Sequence, residues 1–159
     1  MTGVQTCALT ISSTGNYEQV FVSEQYASPI VRMAVGDVLG DGSSEIVVAL
    51  QSGEIKIYDQ VTKSPLPGFT TSANLAAMVL HDLDGDGKAE VIVTTDAGLS
   101  VYSGGGALLW SVPGVGGTDI AVGQMDDDPA LEIATTSGDV GASVEIGRAS
   151  CRERVCSVV

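Results

Sequence analysis

The stretch that decides the architecture lies at residues 82–95, which read DLDGDGKAEVIVTT. Its first nine residues carry carboxylates at positions one, three, five and nine, and a tight curl of the backbone aims such side chains at one centre. Gly85 and Gly87 supply the freedom for positive φ that this curl needs. Carboxylates this close together repel one another unless they are splayed into water or share a cation.

A hard cation suits such a loop best. Ca²⁺ takes roughly six to eight oxygen ligands from carboxylates, carbonyls and water. We therefore predict a calcium site in this loop. Its predicted ligands are Asp82, Asp84, Asp86, the carbonyl of Lys88 and Glu90.

The flanks of the loop separate it from an EF-hand, which begins with the same letters. An EF-hand requires a bidentate glutamate at its twelfth position. Counted from Asp82, the twelfth residue is Val93. The residues on either side are rich in β-branched side chains and keep no helical apolar stripe, so we expect strands rather than helices around the loop.

The same pattern occurs three times along the chain. Residues 37–48 read DVLGDGSSEIVV, and residues 124–135 read QMDDDPALEIAT. The closing glutamates stand at positions 45, 90 and 132, so they are 45 and then 42 residues apart. This period is typical of a propeller blade.

Each period carries signals for several short strands. An apolar run precedes the loop, a β-branched run follows it, and a glycine-bearing turn then leads into an alternating strand, which is a hairpin signature. The predicted strands are 30–35, 46–50, 54–58 and 65–69 in the first period, 75–80, 91–95, 99–102 and 107–112 in the second, and 120–122 and 133–136 in the third. Residues 17–22 are predicted as the last strand of a preceding blade, and 143–145 as the start of another strand.

These signals predict an all-β chain that forms part of a β-propeller. We expect about two to three four-stranded antiparallel blades, with repeats near 30–70, 75–112 and 118–145 and the acidic loops joining the first and second strands. A closed propeller needs about four to eight blades. This number of blades does not close the ring.

The other two loops are predicted as weaker calcium sites because they depart from the full pattern. In the first loop Leu39 replaces the middle carboxylate, and in the third Gln124 replaces the first one. Pro129 stands where the other loops have glycine, and its fixed φ opposes the same curl. Either loop could instead be an acidic turn held by hydrogen bonds to backbone N–H groups. The candidate ligands are Asp37, Asp41 and Glu45 in the first loop and Asp126, Asp128 and Glu132 in the third.

Over residues 30 to 139 the order of apolar strand, DxDGDGxxE loop, apolar strand, glycine turn and strand ending in Tyr resembles the FG-GAP/VCBS repeats of integrin α-subunit propellers and many bacterial surface proteins. The second repeat carries the pattern in full, whereas the other two are degenerate. The resemblance implies a loop between the first two strands of each blade, secretion, and a role in adhesion or ligand binding.

The two ends of the chain differ from the middle. Residues 1–11 and 146–156 resemble translated sequencing-adapter sequence, so we predict that residues 12–145 form the propeller segment and that 1–11 and 146–159 are foreign to it. All three cysteines lie in these end segments, and no disulfide framework or thiolate metal site is predicted from them. They are Cys7, Cys151 and Cys156.

Charge and composition exclude other function classes. The net charge of −13, from 20 acidic and 7 basic residues, repels phosphate, so we expect no nucleic-acid partner. No apolar run reaches the roughly 18 residues of a membrane span. His81 is the only histidine and no GxSxG motif accompanies it, so no catalytic residue and no enzyme activity are predicted.

The leading functional hypothesis is a calcium-binding structural, adhesion or ligand-binding propeller module of a secreted or cell-surface protein. Its partner would be a protein or a carbohydrate. One alternative is a propeller fragment of a secreted carbohydrate-active enzyme such as a polysaccharide lyase, for which a cleft lined by Lys, Arg or His would be the distinguishing feature. Another is a purely structural spacer that binds no ligand.

Overall fold

The computed structural model describes residues 7–11, 17–72, 74–137 and 143–148, and within these ranges the regular structure consists entirely of β-strands. No helix long and apolar enough to cross a membrane occurs in them. The strands are β1 (Cys7–Ile11), β2 (Tyr17–Val22), β3 (Ile30–Gly36), β4 (Glu45–Leu50), β5 (Glu54–Asp59), β6 (Pro65–Thr70), β7 (Ala77–His81), β8 (Glu90–Thr95), β9 (Gly98–Tyr102), β10 (Leu108–Pro113), β11 (Ile120–Gly123), β12 (Glu132–Ser137) and β13 (Ser143–Arg148).

The strands form antiparallel sheets in chain order. The first blade has the order β3-β4-β5-β6, and the second blade has β7-β8-β9-β10. The third blade contains β11-β12-β13, and β1 pairs with β2 in a separate two-stranded sheet. The predicted all-β fold and its four-stranded antiparallel blades are confirmed. Each acidic loop joins the first two strands of its blade, as the sequence predicts.

The second strand of each four-stranded blade is buried on both faces, which explains its continuous β-branched sequence. In β4, Val47 and Ala49 pack into an apolar cluster that also contains Val91 and Val93 of β8. The opposite face of β8 presents Ile92 to a cluster with Ile133 of the third blade. The alternating side chains of one strand therefore join its blade to both neighbours.

The other face of β4 packs against the segment that precedes the first blade. Ile46, Val48 and Leu50 contact Phe21 and Tyr26 there. The Tyr58 hydroxyl donates a 2.8 Å hydrogen bond to Glu24 Oε2, and it lies 2.5 Å from the Tyr26 hydroxyl oxygen. Burial, together with these two hydroxyl and carboxylate contacts, raises the pKa of Tyr58.

The first strands of successive blades lie side by side, β3 next to β7 and β7 next to β11. Arg32 of β3 donates a 3.1 Å hydrogen bond from Nη2 to the carbonyl of Thr118, just before β11. The outer strands β6 and β10 are half exposed, and Pro65 and Pro67 lie in β6, where an edge strand tolerates missing donors.

Most strand bounds differ from the sequence expectation by about one residue, and the largest differences lie at the start of β7 and at the end of β13. Leu75 is buried, but it precedes β7 instead of starting it, and its N–H donates to the Gln51 carbonyl of the first blade at 3.2 Å. At the ends, β1 occupies Cys7–Ile11 and β13 continues to Arg148. The prediction that the end segments are foreign concerns their origin, which strand pairing does not test, and it stays a prediction. Residues 1–6 and 149–159, including Cys151 and Cys156, lie outside the described residues.

Candidate metal centres

The second loop, between β7 and β8, has the curl that its sequence predicts. Gly85 and Gly87 have φ values of 77° and 88°, which confirms the positive φ expected of them. Asp82 holds this curl through its own side chain. Its Oδ1 accepts hydrogen bonds from the Gly85 and Asp86 N–H groups at 2.8 and 3.2 Å, and its Oδ2 accepts one from the Gly87 N–H at 2.9 Å.

Three carboxylates gather on this loop. One oxygen from each of Asp82, Asp84 and Asp86 lies within 4.8 Å of the others, on the solvent-facing side. Asp86 Oδ1 also accepts the Lys88 N–H at 2.8 Å, and Asp84 Oδ1 accepts the Asp86 N–H at 3.2 Å. An ionised carboxylate has about four lone-pair sites on two oxygens, so accepting these hydrogen bonds is compatible with binding a cation as well.

Glu90 lies behind the loop instead of in the group of three. It is 6% exposed, and its Oε2 accepts the Leu83 N–H at 2.8 Å. Burial raises the pKa of Glu90, the Leu83 hydrogen bond opposes that shift, and the negative charges of Asp84, Asp82 and Asp86 add to it. The glutamate therefore fastens the start of the loop to the start of β8. Its role as a ligand remains a prediction, as does that of the Lys88 carbonyl.

The first loop has the same backbone but fewer gathered acids. Asp37 accepts the Gly40, Asp41 and Gly42 N–H groups at 2.5, 3.3 and 2.8 Å. Partial burial raises the pKa of Asp37, but these backbone donors outweigh it and hold the pKa below its usual range.

Leu39 stands at the third position of the first loop and is 44% exposed. Glu45 is 1% exposed, and its Oε2 accepts the Val38 N–H at 3.0 Å. Burial raises the pKa of Glu45. Among the described residues, the acids of this loop do not form a group of three within 4.8 Å.

The third loop gathers its acids differently. One oxygen from each of Asp126, Asp128 and Glu132 lies within 4.8 Å of the others. Neither Asp127 nor Pro129 has positive φ, so the double-glycine curl is absent, as Pro129 predicts. The Gln124 side chain instead supplies part of the hydrogen bonding that closes this loop. Its Oε1 accepts the Asp126 N–H at 3.2 Å, and its Nε2 donates to the Asp128 carbonyl.

Glu132 is 3% exposed, and only one of its oxygens has a hydrogen-bond partner. Oε2 accepts the Met125 N–H at 2.8 Å, whereas Oε1 is buried without any hydrogen bond within the described structure. A buried polar atom without a partner is costly and calls for a bound species. A cation shared with Asp126 and Asp128 would meet this requirement.

Sequence reasoning missed the hydrogen bond that each closing glutamate makes to the backbone of its own loop. In all three loops the closing glutamate accepts the N–H of the residue seven positions earlier, from Val38, Leu83 and Met125. The signal was present in the constant spacing and in the position of each glutamate directly before a buried strand. A carboxylate at that point is too close to the core to be an ordinary surface charge.

His81 and the glycines at 104–106 lie outside the gathered acidic groups, in a strand and a turn of the second blade. His81 is half-buried at the end of β7, opposite Glu90 in the β7–β8 register. The glycines at 104–106 form a turn between β9 and β10, where the Gly106 N–H donates to the Ser103 carbonyl at 2.9 Å. These glycines therefore connect two strands of the second blade.

Residues 37–93, which include the first and second loops, match the family model of the FG-GAP-like repeat. No curated protein sequence matches the chain. Among solved structures, the chain is similar to BBS1N in complex with ARL6DN and to the Vibrio cholerae biofilm matrix protein Bap1. Two BBS1N crystals, soaked with mercury and lead, give 17% and 15% identity, TM-scores of 0.61 and 0.63, and coverage of 84% and 89% of this chain.

Bap1 gives 21% identity, a TM-score of 0.54 and coverage of 83% of this chain. The chain spans 37% and 47% of the two BBS1N chains and 21% of Bap1. These neighbours are β-propeller proteins. The chain is thus a partial β-propeller, and residues 37–93 within it match the FG-GAP-like repeat.

Proposed function

We propose that this chain is a calcium-binding propeller module of a secreted or cell-surface protein, with a structural, adhesive or ligand-binding role. The observation that carries the proposal is the group formed by Asp82, Asp84 and Asp86, with an oxygen of each within 4.8 Å of the others. The loop that bears them is already curled by hydrogen bonds to Asp82. A site shaped before binding loses little conformational entropy when the ion enters.

The donor set fits a hard cation. All the gathered side-chain donors are carboxylate oxygens, which Ca²⁺ prefers, and thiolate or imidazole groups are absent from both gathered groups. The partnerless Glu132 Oε1 supports a second site in the third loop. The first loop is the weakest candidate because Leu39 leaves it without a central acid.

An extracellular location and a protein or carbohydrate partner are part of the proposal. One structural neighbour is a biofilm matrix protein, which works outside the cell, and the FG-GAP-like repeat is consistent with that location. Extracellular calcium modules bind with dissociation constants of roughly 10⁻⁴ to 10⁻³ M. Millimolar calcium would then add on the order of 1 kcal/mol of stability per site. We propose a structural, non-catalytic role for the ion, which would hold together the three carboxylates of a loop that is already curled.

Calcium titration by calorimetry on the full chain tests the proposal. Asp84→Asn and Asp86→Asn keep the size and one oxygen of each side chain and remove its charge, so each should weaken binding to the second loop at least tenfold. Asp96→Asn is the matched control, because it removes an exposed charge outside the loops and keeps an acceptor for Asn74 Nδ2. Circular dichroism shows whether the parent is folded. A folded parent that binds no calcium would refute the proposal.

The third loop is counted separately in the same titration. Glu132→Gln should remove one binding event from the parent and should leave the affinity of the second loop unchanged. A parent that shows one event, unaffected by Glu132→Gln, would assign all binding to the second loop.

A further inference from the structure

The second loop contacts the first loop directly across the interface between their blades. The Ala89 N–H donates a 2.7 Å hydrogen bond to the Asp37 carbonyl. Ala89 also packs against the apolar cluster between the two blades, next to the segment that contains Gly36. No corresponding backbone bond joins the third loop to the second in the part of the chain that the structure describes.

Lys88 makes the second contact between these loops. Its aliphatic stem lies over Gly40, where an added methyl group would be 2.5 Å from Lys88 Cε and 2.8 Å from Cδ. Gly40 also has a φ of 75°. The positive φ favours glycine at this position, and the absence of a side chain on Gly40 lets the Lys88 stem lie close to its backbone.

The backbone of Lys88, unlike its side chain, contacts the second loop itself. Its N–H donates to Asp86 Oδ1, one of the three gathered carboxylates of the second loop. One residue thus touches the first loop with its side chain and the acidic group of the second loop with its main chain. Lysine stems commonly pack on neighbouring surfaces while the ammonium group stays in water.

We propose that Lys88 is a positioning residue that couples the two loops across the blade interface. Its stem and the adjacent Ala89 N–H hold the first loop in its closed curl. A further consequence rests on the proposed function: a cation bound by Asp84 and Asp86 fixes the Lys88 backbone and so slows opening of the first loop. Coupling of this kind is reciprocal, so closure of the first loop also favours binding in the second.

A pair of substitutions isolates the stem. Lys88→Ala removes both the stem and the charge, whereas Lys88→Met removes the charge and keeps a stem of similar length. The readout is NMR solvent exchange of the Gly40 and Gly42 N–H groups, both of which donate to Asp37. Without calcium, exchange should be about fivefold faster in Lys88→Ala than in Lys88→Met, at the low end of typical coupling between sites.

The calcium arm tests the consequence. Calcium should slow exchange at Gly40 and Gly42 in the Lys88→Met chain, and the effect should disappear in Lys88→Ala at a calcium concentration that saturates the second loop of that variant, as calorimetry of the same variant determines. Asp41→Asn, added to both Lys88 variants, weakens any calcium site in the first loop. The effect that is measured then comes from the ion in the second loop. Equal exchange in the Ala and Met chains without calcium would overturn the coupling. A parent that binds no calcium would overturn the proposed function and the consequence, while the metal-free comparison would still decide the coupling.

Discussion

At the scale of single residues, the first and second acidic loops use their carboxylates for two separate structural tasks. Asp37 and Asp82 accept backbone N–H groups and hold the curl, and the buried closing glutamate fastens the loop to its strand. In the second loop, Asp84 and Asp86 add their charges on the solvent side, next to Asp82. The fold of that loop therefore does not require every carboxylate to bind an ion.

The turn between β5 and β6 gives a prediction at this scale that involves no metal. Asp59 Oδ1 accepts the Thr62 N–H at 2.6 Å, the Thr62 hydroxyl at 2.9 Å and the Val61 N–H at 2.9 Å. The Thr62 N–H and hydroxyl are the main causes that lower the pKa of Asp59 from its ordinary value of 3.8. A carboxyl with a lowered folded-state pKa stabilises the protein above its unfolded pKa, and this stability is lost as the pH falls through the folded value.

Asp59→Asn should therefore reduce the free energy of unfolding at pH 7, and the deficit relative to the parent should shrink as the pH falls below about 4. Urea unfolding between pH 7 and pH 2.5 measures this difference. Asp96→Asn serves as the control for the loss of one exposed aspartate charge. A deficit that stays constant over the whole range would contradict the electrostatic explanation.

At the scale of elements, the strands differ by their place in the blade. β4 and β8 are buried on both faces, whereas the first strand β3 exposes alternate side chains such as Met33 and Val35. Truncating a β-branched side chain should therefore lower the free energy of unfolding far more in β4 or β8 than in β3.

Ile92→Ala should reduce the free energy of unfolding by about 2–5 kcal/mol, because Ile92 is 0% exposed and its loss leaves a cavity between the second and third blades. Val35→Ala, at a position that is 63% exposed, should change it by less than about 0.5 kcal/mol. Chemical denaturation of both variants measures the difference. Similar losses in the two variants would mean that β8 is not buried between the blades.

At the scale of the whole molecule, the blades are joined by apolar clusters and by a few hydrogen bonds between loops. The first and second blades share one cluster, and the second and third share another. Because the acidic loops lie beside these interfaces, an ion that stabilises a loop also stabilises the assembly of blades.

Calcium should accordingly raise the thermal midpoint of the full chain. At a free concentration tenfold above Kd, one site adds about 1.4 kcal/mol, which corresponds to about 3–5 °C for a chain of this size. Differential scanning calorimetry with calcium and with a chelator measures the shift. The double variant Asp84→Asn/Asp86→Asn should lose most of it, and an undiminished shift in that variant would place the stabilising ion elsewhere.

The sequence by itself determined the all-β fold, the repeat and the position of each loop. Glycine placement and β-branched runs are local signals, so they predicted the positive φ of Gly85 and Gly87 and the bounds of β4 and β8 to within a residue. The effect of Pro129 on the third loop also followed from its fixed φ.

Only the tertiary structure decided what the individual carboxylates contact. The burial of Glu90 and Glu132, the partnerless Glu132 Oε1 and the contact of Lys88 with Gly40 depend on how segments distant in sequence come together. Residue spacing shows which side chains share a loop. It does not show which of them face the solvent, the core or the next blade, because that choice is made by packing between blades about 45 residues apart in the chain.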